Sequence, residues 1–232
     1  MIEDIRIRDY ILSLEPDLDP VLSQIEETAL AGQIPIIRKE TGALLKTLVA
    51  AVRPRQILEI GCAVGYSALL MASVMDPDCH ITTIEKYEKR IPDALENFRR
   101  AGREGQITLL PGDAGERMEE LSEESYGFIF MDAAKGQYIH WLPRVLKLLA
   151  PGGMLVSDNV LQDGDIVQSR FAVERRNRTI HSRMREYLYV LKHTEGLETA
   201  VIPIGDGVTV SVKRAMPAKG SAESAGEEKS RA

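Results

Sequence analysis

Short apolar runs alternate with helix-forming segments through the middle of the chain. Five runs have the length and composition of buried strands and cover residues 56–60, 81–85, 107–113, 126–132 and 154–159. The segments between them carry good helix formers or apolar residues at helical spacing. Strands that alternate with helices predict an α/β fold built on a doubly wound, mostly parallel, Rossmann-like sheet.

The two ends of the chain have different patterns. Residues 1–33 show apolar positions three and four apart, which predicts an N-terminal helical segment. Residues 198–204 and 207–212 flank a Gly-Asp-Gly turn and predict an antiparallel hairpin that completes a seven-stranded sheet. We therefore assign residues 34–214 to the main domain. Residues 215–232 are poor in apolar side chains and are predicted to form a disordered tail.

Composition limits the class of protein. The 232 residues are 44% hydrophobic and 28% charged, as in a soluble globular domain, and the net charge of −6 argues against non-specific coating of nucleic acid. The only cysteines, Cys62 and Cys79, have neither disulfide-framework nor zinc-site spacing, which favours a reduced, cytoplasmic location. We find no export signal and no apolar stretch of membrane-spanning length, so no membrane partner is expected.

The first strand runs into a glycine turn that predicts a nucleotide pocket. Its pattern is Glu59-x-Gly61-x-x-x-Gly65, whereas dinucleotide-binding folds have G-x-G-x-x-G. It resembles the first motif of class I S-adenosylmethionine-dependent methyltransferases, in which glycines let the cofactor lie against the backbone and a nearby carboxylate can hold its ammonium group. An ordinary strand-turn-helix that needs two glycines for packing is the alternative.

Acidic residues end the later strands. Glu85, 24 positions after Gly61, can accept hydrogen bonds from both hydroxyls of a ribose, although a solvated strand end is the alternative. Asp113 and Ala114 follow the third strand, where they can meet an adenine edge or form a simple turn.

A metal site is predicted where two neighbouring strands end. Asp132, Asp158 and Asn159 offer two carboxylates and an amide oxygen, a hard donor set that suits Mg²⁺. Taken singly, Asp132 can be a helix cap and Asp158-Asn159 a turn. Together with the glycine motif, the metal interpretation is favoured.

With these residues in view, the chain resembles the cation-dependent O-methyltransferases, the group that contains the catechol and caffeoyl-coenzyme A enzymes. Besides the glycine motif and Glu85, the resemblance rests on Met131-Asp132-Ala133-Ala134-Lys135 and Ser157-Asp158-Asn159-Val160. It implies that Asp132, Asp158 and Asn159 hold Mg²⁺, Mn²⁺ or Ca²⁺, that Lys135 is the catalytic base beside Asp132, and that the chain forms a homodimer. It also implies cofactor contacts from Ile37, Ser67, Glu85, Asp113, Ala114 and Asp132. Tyr138 and Trp141 can line a substrate mouth, although core packing is the commoner use of such residues.

An arginine-rich segment bears on the substrate. It contains Arg175, Arg176, Arg178, Arg183 and Arg185, of which Arg175, Arg178 and Arg185 are predicted to lie opposite the apolar face of a helix. Such a stripe suggests phosphate contacts, although a solvated helix face is the common alternative. Together with Ile202-Pro203-Ile204-Gly205-Asp206-Gly207, it makes the chain resemble bacterial tRNA 5-hydroxyuridine methyltransferases. That resemblance implies methylation of 5-hydroxyuridine at the wobble position of the tRNA anticodon loop, with a small catechol-like or caffeoyl-coenzyme A-like metabolite as the alternative substrate.

Overall fold

The computed structural model describes residues 4–215, and the tail predicted for 215–232 lies almost entirely outside them. The chain contributes seven strands to one sheet: β1 (Gln56–Ile60), β2 (His80–Glu85), β3 (Ile107–Pro111), β4 (Tyr126–Met131), β5 (Leu149–Ser157), β6 (Leu197–Ile202) and β7 (Val208–Lys213). The strand order is β3-β2-β1-β4-β5-β7-β6. The first five strands are parallel, and β7 runs antiparallel to both β5 and β6. The predicted seven-stranded α/β sheet with a C-terminal hairpin is thus confirmed.

In the part of the chain that the structure describes, eight α-helices accompany the sheet: α1 (Ile5–Leu12), α2 (Pro20–Ala31), α3 (Lys39–Val52), α4 (Tyr66–Ala72), α5 (Ile91–Arg100), α6 (Ala114–Glu119), α7 (Tyr138–Leu148) and α8 (Arg178–His193). Three 3-10 segments lie at Lys135–Gln137, Gln162–Val167 and Arg175–Asn177. No helix within residues 4–215 is both long enough and apolar enough to cross a bilayer.

The sheet has an apolar core on each face because successive residues of a strand point to opposite sides. In β1, Ile57 packs into the core formed with α2, α3, α4 and α5, while Leu58 and Ile60 pack into the core formed with α6, α7 and α8. Helix α2 contributes Leu22 and Ile25 to the first core, so this part of the N-terminal helical segment packs with the main domain.

The sheet register brings one end of the central strands together. Ile60 of β1 pairs with Met131 of β4, and Met131 pairs with Ser157 of β5. The residues that follow these three positions therefore meet at the carboxyl edge of the sheet, where parallel α/β folds bind ligands. They are Gly61, Asp132 and Asp158.

Candidate active site

A cavity of about 560 Å³ lies at this carboxyl edge. Its wall includes Ile37, Gly61, Ser67, Glu85, Asp113, Ala114, Asp132, Lys135, Asp158 and Asn159. All but one of the cofactor, metal and base residues predicted from the sequence therefore lie around one space. The exception is Glu59.

The turn after β1 lets the backbone form part of the cavity wall. Gly61 has a φ of +103°, and a β-carbon there would collide with the carbonyl group of Asp132. Its N–H donates to the carbonyl of Ile84 over 3.1 Å, and the N–H of Asp132 donates to the carbonyl of Ile60 over 3.0 Å. Only glycine combines this conformation with so close an approach between neighbouring strands.

Glu59 lies behind the wall and does not line the cavity. Its side chain lies on the same face of β1 as that of Ile57 and is fully buried. It accepts hydrogen bonds from Ser67 Oγ (2.6 Å) and from the hydroxyl of Thr83. Burial raises the pKa of this carboxyl to about 7. The prediction of a direct cofactor contact from Glu59 is corrected accordingly: this carboxylate positions Ser67, which does face the cavity.

Glu85 occupies the predicted place at the end of β2. Its Oε2 accepts from the N–H of Ala63 (2.7 Å) and its Oε1 from the N–H of Tyr87 (2.6 Å), so the carboxylate is fixed from both sides. Each carboxylate oxygen has a further lone pair. A pair of hydroxyl groups in the cavity can use them, and ribose binding by Glu85 stays a prediction.

Asp113 caps the helix that follows β3. Its carboxylate accepts from the N–H of Gly115 (2.9 Å) and from Lys86 Nζ (2.8 Å). The hydrogen bond from Lys86 lowers the pKa of Asp113. The Asp113 carboxylate is therefore already engaged. The predicted adenine contact from Asp113 and Ala114 depends on their backbone groups or on the remaining lone pairs of this carboxylate.

Asp132, which is partly buried, and Asp158, which is buried, form an acidic pair at the ends of two hydrogen-bonded strands. The N–H of Asp158 donates to the carbonyl of Met131 over 3.0 Å, which holds the two strand ends together. Burial raises the pKa of both carboxyls, each is raised further by neighbouring carboxylates, and the charge of Lys135 opposes the shift. Two acids that are costly to ionise side by side are stabilised when a cation binds between them.

Asn159 completes the predicted donor set. It adopts a left-handed conformation (φ 60°), and its N–H donates to Asp158 Oδ1 over 2.7 Å. Its Nδ2 donates to Asp206 Oδ1 over 2.5 Å, which leaves its amide oxygen available to a ligand. Within residues 4–215 no cluster of three or more His, Cys, Asp or Glu side chains is placed to hold a metal, so a cation here needs this amide oxygen. Two carboxylates and an amide oxygen on one cavity wall fit a hard divalent cation.

Lys135 projects from the 3-10 turn after β4 and is about one-third exposed. Its Nζ lies 3.8 Å from Asp206 Oδ2. A hydrogen bond fixes this turn to α8, because the Arg183 side chain donates to the carbonyl of Gly136 over 3.0 Å. The ammonium group is thus beside the acidic pair and faces the same cavity, where proton removal from a bound hydroxyl would take place.

Tyr138 and Trp141 have different places. Tyr138 is fully buried, its hydroxyl accepts from the N–H of Ala133 (3.2 Å), and it lies 3.1 Å from the carbonyl of Met131 and 3.3 Å from that of Asp158. It packs in the core and ties the ends of β4 and β5 together. Trp141 lines the cavity.

The arginine-rich segment makes mostly internal contacts. Arg178 donates to the carbonyls of Val173 (3.2 Å) and Phe171 (3.1 Å), and Arg185 donates to that of Ile166 (3.3 Å). With the contact from Arg183 described above, three of the five predicted RNA-binding arginines hold loops against α8. These contacts tie Arg178 and Arg185 to the loops, while Arg185 is still exposed, and RNA binding by these arginines stays a prediction.

The two remaining arginines precede α8. Arg175 and Arg176 are exposed, and Arg176 pairs with Glu174 over 2.7 Å.

Asp206 is the residue of the site that the sequence did not reveal. It is buried and contacts Asn159 and Lys135, although 47 positions separate it from Asn159. The signal was an acid between two glycines in a hairpin turn, but nothing in the sequence places that hairpin beside the metal residues.

Sequence comparison decides the family. Residues 14–214 match the profile described as O-methyltransferase. The chain belongs to this O-methyltransferase family. That membership confirms the predicted enzyme class, an S-adenosylmethionine-dependent O-methyltransferase.

Individual relatives agree with this assignment. The O-methyltransferase is 31% identical over 169 residues to the tapetum-specific methyltransferase 1 of Arabidopsis thaliana, with 72% of each chain covered. It is 32% identical over 153 residues to the catechol O-methyltransferase of Niastella koreensis, covering 64% of this chain and 69% of that one. A crystal structure described as a candidate caffeoyl-coenzyme A O-methyltransferase from Staphylococcus aureus is 31% identical, with a TM-score of 0.83 over 90% of this chain and all of the other.

Proposed function

We propose that this O-methyltransferase transfers the methyl group of S-adenosylmethionine to one of two adjacent oxygens on a small catechol-like metabolite, with a divalent cation held by Asp132, Asp158 and Asn159. The observation that carries the proposal is the common wall of the cavity. It presents the buried carboxylate of Asp158, the partly buried carboxylate of Asp132, an amide oxygen and the amine of Lys135 beside a pocket of nucleotide size.

The cofactor fits the other half of the cavity. Glu85 would accept the ribose hydroxyls, the Ser67 hydroxyl and the glycine turn would contact the methionine part, and Asp113 with Ala114 would border the adenine. Ile37, buried on the opposite side, adds an apolar contact. S-adenosylmethionine supplies an electrophilic methyl group, and the chain's task is to place it next to the acceptor oxygen.

The metal residues would orient the substrate. A bound divalent cation, Mg²⁺ or else Mn²⁺ or Ca²⁺, would lower the pKa of a hydroxyl that it contacts and hold a neighbouring oxygen in place. Asp132 and Asp158 would balance its charge, and the Asn159 amide oxygen would add a neutral ligand. Lys135 Nζ would take the proton from the acceptor hydroxyl as the methyl group arrives, provided that it has first released its own extra proton and is the neutral amine, since an ammonium group has no lone pair. This division of labour requires a substrate with two vicinal oxygens.

Two observations support a small substrate. The relatives described above are named for methylation of catechol or for caffeoyl-coenzyme A, or by their tissue, and none is named as a tRNA methyltransferase. Moreover, Arg178, Arg183 and Arg185 each donate to backbone carbonyls of this chain, so part of each guanidinium is already engaged and fewer of its N–H groups are available to a phosphate.

A tRNA wobble uridine remains the second candidate substrate, because one specific feature favours it. Phe171 is 81% exposed, and the guanidinium of Arg178 lies 5.8 Å from the centroid of its ring; Arg175 and Arg176, which precede α8, are exposed as well. An exposed aromatic ring together with exposed arginines is suited to a single-stranded nucleic acid. The adjacent 5-hydroxyl and 4-oxo groups of 5-hydroxyuridine would meet the same chemical requirement as a catechol.

The test is methyl transfer from labelled S-adenosylmethionine to 3,4-dihydroxybenzoate, with 4-hydroxybenzoate as the matched compound that lacks the second oxygen. We expect methylation of the first compound only, loss of it in EDTA and recovery with excess Mg²⁺. Equal methylation of both compounds, or no effect of EDTA, would contradict the proposal.

A parallel reaction addresses the second candidate with tRNA that carries 5-hydroxyuridine. Two results together would favour RNA as the substrate. The unaltered protein would methylate the tRNA but not 3,4-dihydroxybenzoate, and methylation of the tRNA would fall in the R175E/R176E variant. Arg175 and Arg176 were chosen because, within residues 4–215, their side chains donate to no backbone carbonyl. Their replacement therefore leaves the loops against α8 in place.

A further inference from the structure

Asp206 is held in the turn between β6 and β7 by backbone contacts that do not involve its side chain. Its carbonyl accepts from the N–H of Leu161, and that of Gly207 accepts from the N–H of Val160, both over 2.9 Å. Gly207 has a φ of +96°, and a β-carbon there would collide with Leu161. The turn is therefore fixed to the segment that directly follows Asn159.

The Asp206 side chain contacts three groups of the site. Its Oδ1 accepts from Asn159 Nδ2 over 2.5 Å, and its Oδ2 lies 3.8 Å from Lys135 Nζ and 4.0 Å from the Arg38 guanidinium. The carboxylate is only 6% exposed, so these contacts are shielded from water. Because an ionised carboxylate can only accept, the group of Asn159 that faces it must be the NH₂. The amide oxygen is then turned away from Asp206.

We propose that Asp206 is a positioning residue for the cation site, which fixes the Asn159 carboxamide with its oxygen, and not its nitrogen, available to the metal. This inference rests on the proposed function. An amide that rotates freely would present a donor group to the cation half of the time, and carboxylates behind metal ligands commonly set such orientations. The same carboxylate faces Lys135 and Arg38, so it also keeps two cations from competing for Asp132 and Asp158.

The first test measures Mn²⁺ binding by electron paramagnetic resonance titration. We expect D206A to bind Mn²⁺ about 10- to 100-fold more weakly than the unaltered protein, the range typical for loss of an outer carboxylate. D206N keeps an acceptor oxygen for Asn159 and is expected to recover most of the affinity. The matched control is D163A: Asp163 pairs with the same Arg38 over 2.7 Å but is exposed and does not contact Asn159. D163A is expected to bind Mn²⁺ normally.

A second pair of variants exchanges the two groups and keeps both side chains near their original size. N159D places a carboxylate against Asp206, whereas N159D/D206N restores the hydrogen bond in the reverse direction. We expect the double variant to bind Mn²⁺ more tightly than N159D. A site in which only total negative charge matters gives the opposite order, since N159D carries one more negative charge.

Three outcomes are decisive. D206A that retains normal Mn²⁺ affinity, with normal S-adenosylhomocysteine binding and thermal unfolding, would overturn the inference. The inference would also be overturned if N159D bound Mn²⁺ at least as tightly as N159D/D206N. This comparison of the two variants serves as the test if D206A does not fold. If the unaltered protein binds no Mn²⁺, the proposed function itself fails, and that result is distinct from D206A binding the ion as tightly as the unaltered protein does.

Discussion

The hydroxyl of Ser67 donates a 2.6 Å hydrogen bond to Glu59, which joins the wall of the cavity to an acid enclosed in the core. The hydroxyl of Thr83 on β2 donates to the other carboxylate oxygen. Glu59 thus fixes the start of α4 relative to two strands of the sheet. The cavity depends on an ionisable group that has no access to solvent.

Replacement of Glu59 by Gln should change how stability depends on pH. Burial raises the pKa of Glu59 to about 7, above its ordinary value, so the folded state binds the proton more tightly than the unfolded chain. The contribution of this group is therefore complete at low pH and is lost as the pH rises from about 4.5 through 7. E59Q cannot ionise, so its free energy of unfolding relative to the unaltered protein should increase over this window, by up to roughly 3 kcal/mol. Chemical denaturation at pH 5 and pH 8 measures this, and an unchanged difference would contradict it.

Replacement of Asp158 by Asn should stabilise the metal-free protein and abolish cation binding. The amide oxygen can still accept from the N–H of Asn159, while repulsion with Asp132 disappears. We expect a gain of about 1–2 kcal/mol in the free energy of unfolding at pH 8, as found when functional strain is relieved. Calorimetry with Mn²⁺ should detect no binding. D163N, which alters an exposed aspartate, is the control and should change neither quantity.

Replacement of Lys135 by Met should remove catalysis and leave ligand binding intact. The methionine keeps the length of the side chain but cannot take a proton. We expect kcat to fall by about 10²- to 10⁴-fold, the usual value of a positioned base. The dissociation constants for Mn²⁺ and S-adenosylhomocysteine should stay within about threefold, a difference below 1 kcal/mol. K89M, which changes an exposed lysine outside the cavity, should retain full activity.

Replacement of Tyr138 by Phe should weaken the junction of β4 and β5. The change leaves the partly buried N–H of Ala133 without its hydroxyl partner, at a cost of about 1 kcal/mol or more in the free energy of unfolding. Y189F removes the hydroxyl of a tyrosine that is 64% exposed and should cost far less. Equal destabilisation by both variants in urea would show that the Tyr138 hydroxyl has no special role.

The fold was predictable because its information is local. Each buried strand is a short apolar run, and Gly61 marks the turn after the first one, so the doubly wound sheet followed from periodicity. The strand β5 begins at Leu149, earlier than the predicted 154, because Pro151, Gly152 and Gly153 look like a turn; Gly152 does have a φ of +80°, but pairing with β4 continues across the segment with a shift in register. The local composition of this segment does not reveal the pairing with the neighbouring strand that makes it part of β5.

The site was predictable where its residues end strands and not where it depends on tertiary contacts. Asp132, Asp158 and Asn159 could be grouped because parallel strands end at one edge. Asp206 could not, since its hairpin reaches the site through the antiparallel pairing of β7 with β5. The loop contacts of the arginines could not be predicted for a related reason: helical periodicity indicates which face of α8 carries Arg178 and Arg185, but not that residues from 162–173 fold back to accept their hydrogen bonds.

The central claim is that a divalent cation binds between Asp132, Asp158 and Asn159, and anomalous diffraction from crystals soaked in Mn²⁺ tests it most directly. The account predicts one strong peak within coordination distance of an oxygen from each of these three side chains, with the Asn159 nitrogen on Asp206. A well-diffracting soaked crystal that shows no peak there, or shows Mn²⁺ only elsewhere, would contradict it.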